Sequence, residues 1–475
     1  MPDIDISNLQ NCIEDARQSA LDGDPGPPDP IQYHPLLGRL QASRPRIPAL
    51  YLDSAFDPYV RRLTGLGESD FNQIIVEDPS KQGAAGLMLD IAQAFLQKGE
   101  GFEPKANAAF QEVVSDLYDG FLSAEDRGGV EPPDNETLAP MVKFGNPDDG
   151  PYTWPVDATE SFGLRVGVVN LPPGNTRRGL LAWSALSHEA CGHDILHADN
   201  GLLREVSNAV RTALSQDAAT RSLASYWSKR IDETASDVLG ILNMGPAPAI
   251  GLIGYFRGLN AAFDGTPVLR NIGPNDDPHP ADIVRGFLAA ATVRQLEFGQ
   301  ASAWADVIEE QTEKDVTTIR LAGKKVDPEI AKKSATIVSQ TIVTHPMNSL
   351  ENHAFGEIQN WRDQDEDIVQ RLRAILNTAN TLDLEFEKGV FAAHLVAAAT
   401  MSALTSDANL SLLFSRMLDL LKKMNDNNPS FGPLRVRHPG NLVRDRFYIR
   451  IGVDARLETV AIAPRASERS QRKRA

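Results

Sequence analysis

The sequence predicts a mostly helical protein of the α+β class. Apolar residues recur at helical spacing in many segments, such as 86–97 and 106–122. One valine-rich segment, 162–170, alternates as a strand does, and two short alternating segments, 447–453 and 457–462, predict a C-terminal hairpin. Strand-like segments are few, so we expect several helical lobes and only a minor β-sheet.

The N-terminal quarter of the chain is predicted to be helical. Residues 5–21 form a first short helix, and proline and glycine then exclude regular structure over 22–30. Helical patterns resume and dominate residues 51–122. Segment 128–134 contains two glycines and two prolines and is the best candidate for a linker. We therefore assign residues 1–127 to a helical N-terminal lobe.

The helices after the predicted strand extend almost to the C terminus. One begins near Thr176 and ends at Asn200–Gly201, since glycine readily adopts the left-handed backbone of a helix C-cap. The other predicted helices cover residues 202–214, 220–244, 249–263, 281–298, 300–315, 328–343, 349–360, 365–385, 388–404 and 407–424. This pattern divides the rest of the chain into a core (128–300), a helical C-terminal lobe with the hairpin (301–463) and a basic tail (464–475).

The charge balance excludes some classes of partner. Lys and Arg together number 47 against 64 Asp and Glu, a net charge of −17. A field of this sign repels nucleic acid and anionic membranes, so we expect neither as a partner. Two cysteines are too few for a disulfide framework, and no segment has the pattern of a signal peptide or a membrane span. We therefore expect a cytoplasmic protein, whose oligomeric state the sequence leaves open.

Three of the nine histidines, His188, His193 and His197, lie within a stretch of ten residues. Imidazole nitrogens are good zinc ligands, and a carboxylate such as that of Glu189 is the usual general base in zinc hydrolysis. His193 follows His188 by five residues, and in a regular α-helix this spacing turns them about 140° apart. A π-bulge absorbs one extra residue, and Gly192 accepts an altered backbone. If His188 and His193 bind the same metal ion, we therefore expect a π-bulge at Gly192.

A second ligand set needs no bulge. Glu189, His193 and His197 are spaced by four residues and would lie on one stripe of a regular helix. One carboxylate and two histidines are a known ligand set of non-haem iron oxygenases. The motif alone therefore leaves an iron oxygenase open, as well as a non-catalytic helical scaffold protein whose polar helix face binds no metal.

A second acidic pair supports the metal site. Glu233 and Asp237 share one face of the predicted helix 220–244, about forty residues after His193. A catalytic zinc needs a third protein ligand, usually a carboxylate, and a further acid that orients a ligating imidazole. Glu233 and Asp237 can supply both. The two segments together therefore favour metal binding over an ordinary acidic helix face.

These two segments resemble the gluzincin metallopeptidases. His-Glu-Ala-Cys-Gly-His at 188–193 is similar to the H-E-x-x-G-H motif of the dipeptidyl peptidase III family. Asp-Glu-Thr-Ala-Ser-Asp at 232–237 is similar to the E-E-x-x-x-E/D motif of that family and to the E-x-x-x-D motif of thermolysin-like enzymes. The resemblance covers about fifty of the 475 residues. It implies a zincin-like core, Zn²⁺ as the cofactor and a peptide or peptide-like substrate.

The resemblance also implies roles for individual residues. His188, His193 and Glu233 would bind zinc. Glu189 would act as the general base that activates water, and Asp237 would orient a ligand from the second layer. A metallopeptidase with these parts is the function that the sequence favours, and whether it is an exopeptidase or an endopeptidase stays open.

Gluzincins commonly stabilise the oxyanion with a tyrosine or histidine that follows the ligand helix. Tyr255, His279 and His345 are the candidates here. His279 ranks first, because with Arg285 it matches a His-Pro-x-x-x-x-Arg pattern of some metallopeptidases, and Arg285 would then bind a substrate carboxylate. We also expect an extended peptide substrate to pair with the edge of the strand predicted at 162–170.

Overall fold

A computed structural model defines the fold for residues 4–122, 130, 133–134, 138–148, 150–378 and 391–427. Within these ranges the protein is mostly helical and contains two small three-stranded sheets, which confirms the predicted α+β class. The predicted C-terminal hairpin and the basic tail lie outside the described residues. No helix in the described ranges combines the length and the apolar character needed to cross a membrane.

The helices follow one another with short connections. The first six are α1 (Leu9–Ala20), α2 (Tyr33–Ser43), α3 (Ala49–Tyr51), α4 (Asp57–Glu77), α5 (Ala84–Glu100) and α6 (Pro104–Leu122). The next seven are α7 (Val156–Thr159), α8 (Leu180–His188), α9 (Ile195–Ala198), α10 (Leu202–Gln216), α11 (Ala224–Ser228), α12 (Ile231–Met244) and α13 (Pro246–Phe263). The last are α14 (Asp282–Val293), α15 (Ala301–Glu313), α16 (Pro328–Thr344), α17 (Phe355–Ile358), α18 (Asp363–Thr378), α19 (Ala392–Ala403) and α20 (Leu410–Asn427).

Most predicted helices are present with shifted ends, but the predicted helix 220–244 is divided into α11 and α12. The prediction of a helix over 349–360 is wrong. These residues form a 3-10 turn, Asn348–Leu350, followed by the single-turn helix α17. Glu351 and Asn352 separate the two with φ values of 49° and 63°. Left-handed residues cannot continue a right-handed helix, so the apolar spacing in this segment belongs to two separate turns.

The predicted strand lies in the middle of a sheet. β3 (Val166–Leu171) pairs in parallel with β1 (Leu138–Phe144) and antiparallel with β2 (Tyr152–Trp154), in the order β1-β3-β2. The hypothesis that a substrate pairs with this strand is therefore wrong, because both of its edges already bind neighbouring strands. β2 forms one edge of the sheet. A second sheet joins the very short strands β4 (Ile272–Gly273), β5 (Arg320–Leu321) and β6 (Lys324–Lys325).

The first sheet separates two hydrophobic clusters. The alternate residues Val166 and Val168 of β3 pack in a cluster with α2, α4 and α5, whereas Val169 and Leu171 pack in a larger cluster on the other face. The larger cluster contains side chains of α1, α6, α8, α12 to α16 and α18 to α20. The sheet therefore lies between helices α2 to α5 and the larger cluster, which includes α1, while the division into three lobes stays a prediction.

The helix that carries the histidines contains the predicted π-bulge. α8 continues through a π-helical segment, Glu189–Asp194, into α9, which confirms the prediction. The reason for the glycine differs from the predicted one, since Gly192 is not among the residues with positive φ. A Cβ on Gly192 would lie 2.2 Å from Cβ of Ser236 on α12. Gly192 is therefore required because two helices approach each other closely at the metal motif.

Because Gly192 lies so close to Ser236, we expect even one added methyl group at this position to destabilise the protein. Gly192→Ala should lower the free energy of unfolding by about 1–3 kcal/mol, because the added methyl group overpacks the contact with α12. Chemical denaturation followed by circular dichroism measures the change. Gly65→Ala on α4 is the matched control, because no atom lies within 4 Å of its added Cβ. Equal stability of the two variants would contradict the role assigned to Gly192.

Candidate metal centre

A cavity of about 650 Å³ lies beside the π-helical segment. Its lining includes His188, Glu189, His193, His197, Glu233, Tyr255, His279 and Arg285. Asp237 is almost fully buried and contacts His188. His345, in contrast, is exposed at the end of α16 and is not among the residues that line the cavity. The fold therefore brings the sequence candidates together, with the exception of His345.

Three side chains of the cavity converge on one point. Nε2 of His188 lies 3.1 Å from Nε2 of His193 and 3.3 Å from Oε2 of Glu233. Nε2 of His193 lies 3.5 Å from Oε1 of Glu233. One nitrogen or oxygen of each side chain can therefore contact a shared ion, since all these atoms lie within 4.8 Å of one another.

The spacing of these atoms suits a tetrahedral zinc ion. Zinc binds histidine nitrogen and carboxylate oxygen at about 2.0–2.2 Å, which places neighbouring ligand atoms about 3.3–3.6 Å apart. The three separations of 3.1, 3.3 and 3.5 Å are close to these values. Three protein ligands also leave a fourth position open, as in catalytic zinc sites. The last two separations involve different oxygens of Glu233, so the donor set fits a metal ion such as zinc by its chemistry, and the identity of the ion stays a prediction.

Both imidazole rings are oriented through their second nitrogen. Nδ1 of His188 lies 2.8 Å from Oδ1 of Asp237, and Nδ1 of His193 lies 3.0 Å from Oδ1 of Asp232. In a neutral ring, an Nδ1–H that donates to a carboxylate leaves the lone pair on Nε2. Two such lone pairs and the Glu233 carboxylate repel one another unless a proton or a metal ion lies between them. The arrangement therefore favours a bound cation.

The carboxylates also determine the protonation of the site. Burial lowers the pKa of His188, but Asp237 and Glu233 outweigh burial and raise this pKa to about 10. Burial also opposes protonation of His193, whereas the hydrogen bond to Asp232 raises its pKa. Burial would raise the pKa of Glu233, but the two histidines hold it well below its usual range. The nearby carboxylates therefore stabilise positive charge at the imidazole rings of His188 and His193, and a bound metal ion can supply this charge in place of a proton.

Arg285 holds the acid that orients His188. Its Nε and Nη2 each lie 2.7 Å from an oxygen of Asp237, and its side chain is only 5 % exposed. The remaining nitrogen, Nη1, lies 3.9 Å from Oε2 of Glu233. A bidentate pair of this kind fixes the carboxylate plane, and through it the His188 ring. These contacts point to Arg285 as a positioning residue, and its predicted contact with a substrate carboxylate stays a prediction.

Glu189 directly follows His188 in the chain, and a residue of the edge strand β2 orients its side chain. Oγ1 of Thr153 on β2 donates a hydrogen bond of 2.7 Å to Oε2 of Glu189. Both residues line the cavity, and Glu189 is almost fully buried. Thr153 thus orients the carboxylate of Glu189 in the cavity that the three converging side chains also line, and its role as a general base stays a prediction.

β2 is itself held by a buried ion pair. Tyr152 Oη and Trp154 Nε1 donate to Oδ2 of Asp90 on α5, at 2.7 and 2.8 Å. Oδ1 of Asp90 pairs with Nζ of Lys143 on β1 at 2.6 Å, and both charged side chains are at most 4 % exposed. Side chains alternate along a strand, so the two neighbours of Thr153 contact Asp90 while Thr153 itself contacts Glu189. α5 therefore supports the position of Glu189.

Tyr255 and His279 both line the cavity, at different depths. Tyr255 is 7 % exposed. Burial, and to a smaller extent the charge of Glu189, raises the pKa of Tyr255, so its hydroxyl stays protonated at neutral pH and can donate a hydrogen bond. His279 is half exposed, and its Nε2 lies 3.4 Å from Oε1 of Glu233. Both residues line the cavity, and the role of either one in stabilising an oxyanion stays a prediction.

The structure does not favour the alternative iron ligand set. That set assumed a regular helix, and the assumption is wrong because residues 189–194 are π-helical. His197 instead contacts carboxylates through both ring nitrogens, Asp157 at 2.8 Å and Asp232 at 3.2 Å. In the described part of the chain, the group of side chains that can share an ion is His188, His193 and Glu233.

Sequence reasoning assigned no role to Asp232 or Thr153. For Asp232 a signal existed, because it forms an acidic doublet with Glu233 and directly precedes a predicted ligand. No local signal marks Thr153, which contacts Glu189 across 36 positions of the chain. The same is true of Asp90, whose partners on β1 and β2 lie more than 50 positions away.

Comparisons with known proteins add no further identification. No protein family model, no curated protein and no solved structure matches this chain. The resemblance to gluzincins therefore rests on the two short segments at 188–193 and 232–237, and on this basis it stays a prediction.

Proposed function

We propose that the protein is a zinc-dependent metallopeptidase that hydrolyses peptide bonds in the cavity beside α8 and α12. The observation that carries this proposal is the convergence of His188, His193 and Glu233 in a cavity that Glu189 also lines. In this proposal the three converging side chains hold Zn²⁺. When bound, Zn²⁺ supplies Lewis-acid polarisation of a carbonyl group and lowers the pKa of a water molecule to about 7.

Glu189 is the proton carrier in the proposed reaction. Its carboxylate accepts a proton from the attacking water and then transfers it to the nitrogen of the leaving amine. Thr153 donates to Oε2 of Glu189, which holds the carboxylate in one orientation and leaves Oε1 for the water. The cavity encloses both residues, so the proton transfer takes place in surroundings of reduced polarity.

Other residues at the site stabilise the developing negative charge or hold the proposed metal ligands in position. A neutral hydroxyl, such as that of Tyr255, can donate to the oxygen that becomes negative as water adds to the carbonyl. His279, at the rim of the cavity, is the second candidate for this role. Asp232 and Asp237 hold the two histidine rings, and Arg285 in turn holds Asp237.

Metal analysis and a peptide assay test the proposal. The purified full-length protein should contain about one zinc per chain by elemental analysis. It should also cleave members of a library of internally quenched peptides. Iron in place of zinc would favour the oxygenase hypothesis, and zinc without cleavage of any peptide would contradict the metallopeptidase proposal. Cytoplasmic localisation and the absence of nucleic-acid and membrane partners stay predictions beside it.

A further inference from the structure

One face of α13 forms an apolar side of the cavity. Six residues on this helix line the cavity, and we call the five that are aliphatic or aromatic the apolar wall: Leu252, Tyr255, Phe256, Leu259 and Phe263. Their spacing of three, one, three and four residues places them on a single stripe of the helix. Much of the rest of the lining is polar and includes the metal ligands, Glu189 and Thr153. The cavity therefore has an apolar side and a polar side.

The apolar wall begins at the metal centre and ends in solvent. Leu252 and Tyr255 are 8 % and 7 % exposed, whereas Phe263 at the far end is 61 % exposed. The ring of Phe256 lies 4.7 Å from the guanidinium carbon of Arg285, the residue that holds Asp237. Single exposed apolar residues are ordinary on protein surfaces. Phe263 differs because it extends a continuous apolar stripe that leads to the proposed reaction centre.

The length of the wall indicates the size of the molecule that it can contact. Leu252 and Phe263 are eleven residues apart on one helix, which corresponds to about 16 Å at a rise of 1.5 Å per residue. An extended peptide advances about 3.3 Å per residue, so this distance equals about five residues. A single amino acid amide would contact only a fraction of the wall.

We infer that the apolar wall binds large apolar side chains of an extended peptide substrate and so determines which peptides are cleaved. The substrate class is then a peptide of about five residues or more with an aromatic or branched aliphatic side chain close to the cleaved bond. This inference rests on the proposed function and specifies its substrate. Leu259 and Phe263 are the residues to test, because they form the more exposed end of the wall and have no assigned role in the proposed reaction.

The test uses a series of internally quenched pentapeptides that differ at one position only, with Phe, Leu, Ala, Gly or Asp. We expect the unmodified protein to cleave the Phe and Leu peptides at least 10-fold more efficiently than the Gly peptide. In the double variant Leu259→Ser/Phe263→Ser, kcat/KM for the Phe peptide should fall about 10- to 100-fold, mainly through KM, because apolar contacts on this scale separate substrates by such factors. For the Gly peptide it should change less than twofold.

The control is Leu412→Ser, which removes a 44 % exposed leucine of α20 that does not line the cavity. It should leave the whole series unchanged, and the zinc content of every variant should equal that of the unmodified protein. An equal loss for all peptides, or no preference among them, would overturn the inference. So would a change from dimer to monomer in the double variant with an unaltered preference, because Phe263 would then belong to an interface between two chains.

A binding measurement separates this inference from the proposed function. Fluorescence anisotropy with dye-labelled Phe and Gly pentapeptides, in the Glu189→Gln background, needs no hydrolysis. Tighter binding of the Phe peptide that disappears in the double variant supports the apolar wall, even if no peptide is cleaved by the unmodified protein. Equal binding of both peptides rejects the wall, even if cleavage supports the metallopeptidase proposal.

Discussion

Glu189→Gln is expected to lower kcat for peptide hydrolysis by about 10²- to 10⁴-fold, the range that a positioned general base contributes. Glutamine has the shape of glutamate and can still accept the hydrogen bond from Thr153. It cannot take a proton from water at neutral pH. Since Glu189 is not one of the converging ligands, the variant should keep its zinc and its fold. A kinetic assay with a peptide that the unmodified protein cleaves measures kcat, and elemental analysis of the same sample measures the zinc content.

The matched control for this variant is Glu310→Gln, the same chemical change at an exposed position on α15. It should leave activity and zinc content unaltered. Equal hydrolysis by the Glu189→Gln protein and the unmodified protein would exclude Glu189 as the base. Loss of zinc in the variant would mean that Glu189 acts as a ligand instead.

Glu233→Ala is expected to abolish zinc binding and, with it, hydrolysis. Glu233 is the carboxylate ligand of the proposed set, and without it only the two histidines remain. Zinc should fall from about one per chain to near zero after dialysis. A ligand at 100 times its Kd stabilises a protein by about 2.7 kcal/mol, so added zinc should raise the Tm of the unmodified protein but not that of the variant.

Two further variants show whether the loss of zinc is specific to the substitution of Glu233. Asp237→Asn keeps all three proposed ligands but alters the partner of His188 Nδ1 and the pair with Arg285, so zinc affinity should fall about 10- to 100-fold rather than vanish. His345→Ala removes an exposed histidine that does not line the cavity and should have no effect. Full zinc content in Glu233→Ala would reject the proposed ligand set.

The sequence could predict the cluster of His188, His193 and Glu233 because local spacing determines much of it. His188 and His193 lie on one helix, and their five-residue spacing allows a shared ion only with a π-bulge, which the structure contains. Glu233 and Asp237 likewise share one turn of α12. Secondary structure fixes such relations, and the periodicity of the sequence encodes secondary structure.

Features that depend on distant contacts were not predictable in this way. β1 contains Pro140 and becomes a strand only because β3, more than twenty residues later, pairs with it. The requirement for glycine at 192 depends on Ser236, which belongs to another helix. The edge strand β2 is three residues long, too short for an alternating pattern to be visible. The sequence shows no trace of these contacts, since each one arises when two separate segments meet.

The buried pair of Asp90 and Lys143 has a consequence for how this chain can evolve. Each charge is enclosed with its partner, and removal of one alone would leave the other unpaired at a cost of about 3–5 kcal/mol. Asp90 also binds both neighbours of Thr153, the residue that orients Glu189. Substitution of Asp90, which lies outside the cavity, would therefore disturb the orientation of Glu189. Under the proposed function, selection on the reaction therefore extends to a helix that carries none of the proposed reacting groups, and we expect positions 90 and 143 to change together.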